Sequence, residues 1–263
     1  MKKLLIVFAV LLIFVSCTQE KKPKLENASY QMKSFGKMYA KYNQPYDVKV
    51  TISYPEIKDA SSLKVVKALN DKINQLILGP VGEDTVFVSL EELFQKLSKS
   101  FDDLMSENPL FSAPWELERN VEVTNNAKGI FSIKFTESSF LGGIHPNTVE
   151  LFSNFDLKTG KELSLPDLFV NGFEEQLRTI AEKLFREQKK LSPEQNLEEA
   201  DFMFESNRFA LNDNFYISSE GIGFFYNPYE IAAYVYGPTD LLIPYAKIKD
   251  IIKRTDILPA ELQ

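Results

Sequence analysis

The chain has 263 residues, 44% apolar and 13% aromatic, enough to build one large or two small cores, and this composition excludes a disordered polymer. Thirty lysines and arginines against 37 aspartates and glutamates leave a formal net charge of −7, which disfavours a nucleic-acid partner. One cysteine excludes a disulfide within the chain, and one histidine excludes the multi-histidine zinc sites that dominate metal hydrolysis.

In chain order, MKKLLIVFAVLLIFVSC comes first: two lysines, an apolar run from Leu4 to Val15, then Ser16-Cys17. This is the layout of a secretory signal, and the run is shorter than the roughly 20 residues of a membrane-spanning helix. Cys17 directly behind it resembles the lipobox of bacterial lipoproteins, where the cysteine is acylated and becomes the first mature residue. Phe14 departs from the aliphatic residue usual three positions earlier, and an ordinary signal with a chance cysteine is the alternative. The expected organisation is a signal peptide over 1–16 and a lipidated tether over 17–28. The product is then exported and lipid-anchored to a bacterial membrane, facing the periplasm or the cell surface. Thr18, in place of aspartate, resembles proteins sorted to the outer membrane. Loss of residues 1–16 removes two lysines and no acids, so the mature charge is −9.

YDVKVTISY (46–54) alternates as a half-buried strand, which Pro55 is expected to end. Leu63, Val66, Leu69, Ile73, Leu76 and Ile77 have helical spacing up to Gly79-Pro80. A second helix starts at Ser89, with Glu92 in capping-box position, and stops at Asn108-Pro109. WELERNVEVTNNAKGIFSIKFTESSF predicts a hairpin turning within Asn125–Gly129. TVELFSNFDLKTGKELSL predicts strand, turn at Thr159-Gly160, strand; Phe173–Lys189 predicts a third helix, and Ser192-Pro193 the start of a short one. Near the end, Asn214–Ser218 pairs with Ile222–Tyr226, Asp240–Tyr245 is a strand, Lys247–Arg254 a helix, and the tail after Thr255 is loose. Helices and strands interleave without a βαβ rhythm. The expected fold class is therefore α+β: two closely packed modules with mainly antiparallel sheets and a few amphipathic helices.

Gly142-Gly143-Ile144-His145-Pro146-Asn147, Asp156-Leu157-Lys158-Thr159-Gly160 and Asn227-Pro228-Tyr229-Glu230-Ile231 carry a resemblance. From about Tyr46 to Ile252 the chain resembles bacterial extracytoplasmic domains of two types that often occur together. One lies N-terminal to the catalytic part of the peptidoglycan deacetylase PdaC; the other is the C-terminal domain of RsiV, a membrane anti-sigma factor whose ectodomain binds lysozyme. The resemblance implies a PdaC-like module over 29–155 and an RsiV C-terminal-like module over 156–256. Neither a membrane helix with a sigma-binding segment nor a deacetylase catalytic domain is seen in the sequence, so those two roles are not expected to carry over.

The candidate site residues are Gly142, Gly143, His145, Asn147, Tyr229 and Glu230. Two glycines permit positive φ, Pro146 extends His145, and Asn147 suits a turn, so His145 either holds a bend or faces a ligand. The aromatic cluster Phe224, Phe225, Tyr226, Tyr229, Tyr234 and Tyr236 is either sheet core or a recognition surface. No calcium-loop pattern and no G-x-S-x-G elbow appears beside Ser138 or Ser139, so neither a metal nor a cofactor is expected. The leading expectation is a non-catalytic envelope lipoprotein, not an enzyme, binding a lysozyme-type cationic protein or peptidoglycan. The alternatives are an envelope glycan hydrolase using His145 or a carboxylate, and a structural scaffold.

Overall fold

The computed structural model describes residues 27–42, 45–82 and 86–262. The signal segment and Cys17 lie outside the described residues. A five-stranded sheet has the order β1-β2-β3-β4-β5 along the chain: β1 (Ser29–Tyr39), β2 (Val48–Asp59), β3 (Trp115–Ala127), β4 (Ile130–Phe140) and β5 (Asn147–Asp156). All pairs are antiparallel except β2–β3. A parallel pair needs a long crossover, and here it is made by α1 (Leu63–Ile77) and α2 (Leu90–Glu107). Serine caps start both helices: Ser62 Oγ accepts from the Val65 amide and Ser89 Oγ from the Glu92 amide, while the Glu92 carboxylate reaches back to the Val88 amide. Val65, Leu69, Ile73 and Ile77 of α1 and Leu93, Leu97 and Phe101 of α2 form the first core with Val50, Ile52, Leu117, Val121 and Ile133 of the sheet.

Arg119 is buried in this unit. It donates to Glu137 Oε2 (2.8 Å) and to the carbonyls of Ile77, Gly79 and Pro80 (2.9, 2.9 and 2.7 Å), fixing the end of α1 to the sheet. A buried guanidinium is tolerated only when matched in this way.

The second unit holds α3 (Leu165–Leu168), α4 (Glu174–Lys189), β6 (Phe215–Ile217), β7 (Gly221–Tyr226), β8 (Thr239–Pro244) and α5 (Tyr245–Ile248). Its three strands pair antiparallel in the order β6-β7-β8. Leu177, Ala181 and Phe185 of α4 pack with Phe202, Phe209, Phe224 and Tyr226.

Asparagine side chains join the two units. On the outer edge of β5, the Glu150 amide donates to Asn227 Oδ1 (2.7 Å) and its carbonyl accepts from Asn227 Nδ2 (3.0 Å) and Asn214 Nδ2 (2.9 Å). The Phe152 amide donates to Asn214 Oδ1 (2.8 Å), and buried Asn154 donates to the Phe215 carbonyl (2.9 Å) while accepting from Ser132 Oγ (2.8 Å). A strand edge with orphan polar groups is thereby covered without another strand.

Several expected details are corrected. Pro55 does not end its strand; it lies inside β2 opposite Met32, beyond Ser53 where β3 pairing stops, so its missing N–H costs no ladder bond on that side. Leu63 is exposed, and Val65 takes the core position one turn before Leu69. Ser192-Pro193 opens turns, not a helix, and the strand after Thr159-Gly160 is a single bridge between Phe155 and Glu162. The predicted closing helix is the short α5 followed by a 3-10 turn over Lys249–Ile251. The tail is not loose: Ile257 and Leu258 are buried, and Lys128 Nζ donates to the Leu258 carbonyl (2.9 Å). All of β7 is buried because its neighbours cover both faces, so the expected alternation is absent there.

Candidate functional site

The GGIHPN segment connects β4 to β5 and is fixed from within. Gly142 has φ +85°, and a Cβ there would lie 2.3 Å from Phe111 Cζ, so the Phe111 ring occupies the space that only glycine leaves. Gly143 and Asn147 are exposed positions of the turn and of the start of β5, where Asn147 pairs with Ser139. Beyond them His145 is exposed, its Nδ1 2.9 Å from the Pro146 carbonyl. A carbonyl can only accept, so Nδ1 donates in this contact and Nε2 is the ring nitrogen left for a second partner.

That Nε2 faces the hydroxyl of Tyr229 at 3.3 Å, 84 residues away in sequence. The imidazole also stacks on Tyr234, with ring centroids 4.0 Å apart and planes at 15°, and Tyr229 lies 5.4 Å from Tyr234. The connection between β4 and β5 thus meets the connection between β7 and β8 through three rings. Tyr229 is 56% exposed and Tyr234 36%, so the cluster is open to solvent on one side. The two candidate readings of the aromatic run separate by position: Phe224, Phe225 and Tyr226 are core, whereas Tyr229, Tyr234 and Tyr236 are surface.

The turn carrying Tyr229 is tightly held. Glu230 accepts from the Asn227 amide (2.8 Å) and from Asn212 Nδ2 (2.6 Å), and the Glu230 amide donates to the Asn227 carbonyl (3.1 Å). These contacts hold Tyr229 at φ +69°, a left-handed conformation that costs a non-glycine residue about 1–2 kcal/mol. Glu230 therefore supports the turn, while the ring of Tyr229 is what the turn presents. Asn227, whose amide bridges to β5, also borders a cavity of about 310 Å³ lined by Thr148, Glu150, Phe225, Pro228 and Tyr234. Asn214, Asn227 and Glu150 were not identified as site residues from sequence, because nothing local shows that side-chain amides complete a distant strand edge. Among the described residues no three His, Cys, Asp or Glu side chains gather as a metal group would require.

A family model described as Deacetylase PdaC matches residues 41–148, and a model of DUF3298, a protein family of unknown function, matches residues 166–246. The chain carries a PdaC-type segment followed by a DUF3298-type segment. Peptidoglycan-N-acetylmuramic acid deacetylase PdaC of Bacillus subtilis strain 168 is 26% identical over 140 residues, 52% of this chain and 29% of that protein. The chain thus matches less than a third of that relative's length. Among solved structures, a DUF3298 family member from Bacteroides fragilis superposes with a TM-score of 0.71 at 20% identity, covering 89% of this chain and 98% of its own. A DUF3298 family protein from Pseudomonas aeruginosa gives 0.66 at 20% identity, with 89% and 96% covered. At that identity the two structures show the shared α+β fold. One expectation is overturned here. The chain was expected not to be an enzyme, but its Bacillus relative is named as a deacetylase, and similarity to an enzyme points toward enzymatic activity.

Proposed function

We propose that this chain is an envelope-associated protein that engages cell-wall glycan, peptidoglycan in particular, on the ring platform of His145, Tyr229 and Tyr234. The observation that carries the proposal is the solvent-open stack of His145 on Tyr234 at 4.0 Å, assembled from two connections and held in place by a strained turn. Flat exposed rings bind the apolar faces of sugars, and adjacent amides and carboxylates supply directional hydrogen bonds. Glu150 and Asn227 border the cavity beside the stack. The Bacillus relative is named for a peptidoglycan sugar, which is consistent with this chemistry. Export with acylation at Cys17, and placement on the outer membrane, complete the proposal, since a tethered domain of this kind would meet the wall directly.

A lysozyme-type cationic protein is the competing occupant, favoured through long-range steering by the net charge of −9 that remains once residues 1–16, with Lys2 and Lys3, are removed. Calorimetric titration of the purified chain with soluble peptidoglycan fragments, and separately with a chicken-type lysozyme, separates the two. Saturable binding of fragments that Tyr234→Ala lowers at least tenfold supports the platform. Binding of lysozyme alone, or fragment binding indifferent to Tyr234, overturns it. Release of acetate from the same fragments would add a deacetylase activity to the binding.

A further inference from the structure

The same connection that carries His145 has a second wall. Four residues earlier, Leu141 lines a separate cavity of about 360 Å³ with Val81, Phe87, Leu97, Ser100 and Trp115. Its volume falls within the range of small-molecule sites. Trp115 is the only tryptophan in the chain. Its ring meets Phe101 edge-on at 5.5 Å and 90°, and its Nε1–H is buried with no hydrogen-bond acceptor among the described residues. Among the buried side-chain polar atoms described, it is the one left without a partner. A buried indole N–H normally finds an acceptor, and leaving it without one is costly.

We propose that this cavity is a subsite for the N-acetyl group of an amino sugar, with the acetyl carbonyl accepting from Trp115 Nε1–H and the methyl resting against Leu97 and Leu141. The chemistry of the walls selects this class. Val81, Phe87, Leu97 and Leu141 make apolar walls, and Ser100 and the orphan Trp115 donor are the uncharged polar side chains among them, so the matching group is a small apolar one that carries an acceptor. Lys96 and Lys99 stand at the rim, but Glu92 (2.9 Å) and Asp103 (2.6 Å) already pair with them. A charge-balanced rim favours a neutral amide over a carboxylate. Leu141 and His145 are four residues apart, so their Cα atoms are at most about 14 Å apart even in a fully extended chain. One short glycan segment can therefore touch both walls of the connection. The inference rests on the glycan-binding proposal above, which it extends from sugar rings to their N-acetyl substituents.

The test uses the purified full chain with chito-oligosaccharides and their fully de-N-acetylated counterparts. Tryptophan emission, excited where tyrosine does not absorb, reports Trp115 alone, while calorimetry reports total binding. The acetylated oligomer should shift the emission and bind at least tenfold more tightly than the de-N-acetylated one. Trp115→Phe, which keeps an aromatic ring in the cavity and removes the donor, should weaken the acetylated oligomer by roughly fivefold to tenfold and leave the de-N-acetylated one unchanged. Unchanged emission on binding, or equal affinity of Trp115→Phe and the parent for the acetylated oligomer, overturns the subsite. Tyr234→Ala distinguishes the two proposals. If it abolishes binding while Trp115 remains indifferent to acetylation, the platform stands and the subsite fails. If it changes nothing while the Trp115 response persists, the subsite stands and the platform fails. No saturable response of either kind overturns both.

Discussion

Asn227 offers the most informative single perturbation, because its side chain completes the edge of β5 while its backbone amide and carbonyl belong to the turn that presents Tyr229. Asn227→Ala removes the bonds to the Glu150 amide (2.7 Å) and carbonyl (3.0 Å) and leaves the carbonyl with Asn214 as its side-chain partner. Each neutral hydrogen bond contributes about 1 kcal/mol net, and an amide left without a partner costs about 1–3 kcal/mol where water cannot reach it. Glu150 is half-buried, so water recovers part of that loss. The expected cost is about 2 kcal/mol, which for a chain of this size lowers the melting temperature by roughly 4–8 °C. Asn227→Asp is a sharper probe. Its carboxylate still accepts from the Glu150 amide but cannot donate to the Glu150 carbonyl, and it brings a charge beside a carbonyl oxygen. It should therefore be at least as destabilising at neutral pH and recover as acid protonates it. Urea denaturation gives the stability, and fragment titration gives the binding. The junction would be refuted by an Asn227→Ala variant within about 0.5 kcal/mol of the parent, and its link to the platform by unchanged fragment affinity.

Arg119→Met should cost about 3–5 kcal/mol in denaturant melts, because Glu137 and three carbonyls lose their partner in a buried setting. Removing Glu137 as well, by substitution to Met, should recover part of that cost, and a fully additive double variant would contradict the pairing. Gly142→Ala should cost about 2 kcal/mol or more, since it meets both a φ of +85° and the Phe111 ring; a calorimetric melt unchanged from the parent would show that the ring has room to move. Acid should destabilise the fold through carboxylates held below their usual range. Lys161 and the Ser164 amide bring Asp167 down to about 2, Arg254 lowers Asp256, and for Asp156 the upward pull of burial is outweighed by Thr159 and Arg254. The folded values lie below the unfolded ones, so the stabilisation is complete above about pH 4 and is lost as pH falls toward about 2. Asp167→Asn should flatten that part of a stability–pH profile, by about 1 kcal/mol or less because the pair with Lys161 is largely exposed. An identical profile would contradict the assignment.

The elements legible in the sequence are those whose signals are local. Ser89 with Glu92 announces α2, helical spacing through Leu69, Ile73 and Ile77 announces α1, and the β3–β4 hairpin closes on Lys128 and Gly129, both at positive φ, within the predicted turn. β1 carries no such signal. Eight of its eleven residues are exposed, and on the face where Phe35 and Tyr39 pack against the first core Lys37 stands between them, so no clean apolar alternation marks it before it pairs with β2. Pro55 misleads for a related reason, because whether a strand tolerates proline depends on how many neighbours it has at that residue. The tail is similar: Ile257 and Leu258 look like an apolar pair in a polar end until the second core accommodates them. At the candidate site, chemistry identified His145 and Tyr229 individually, but their contact across 84 residues, and Tyr234 between them, arises only from how the two units dock.

That docking bears on why the chain keeps one histidine where it does. A bend between β4 and β5 requires glycine and proline, and Gly142 and Pro146 supply them; it does not require an imidazole. The ring of His145 contributes little to holding the turn, since its one backbone contact is to the carbonyl of the next residue. Its other contacts are to Tyr229 and Tyr234 of the second unit, on the solvent side of the junction. If the junction alone were the purpose, the asparagine bridges on β5 and the buried Asn154 link would suffice, because they already satisfy the polar groups that docking removes from water. An open stack of rings adds about 0.5–1.5 kcal/mol per pair while leaving much apolar surface exposed, a poor use of aromatic side chains for stability. The strain at Tyr229 costs about as much as one such pair contributes. The arrangement is therefore better explained as a presented surface than as a fastening, and the two units must stay docked for that surface to exist.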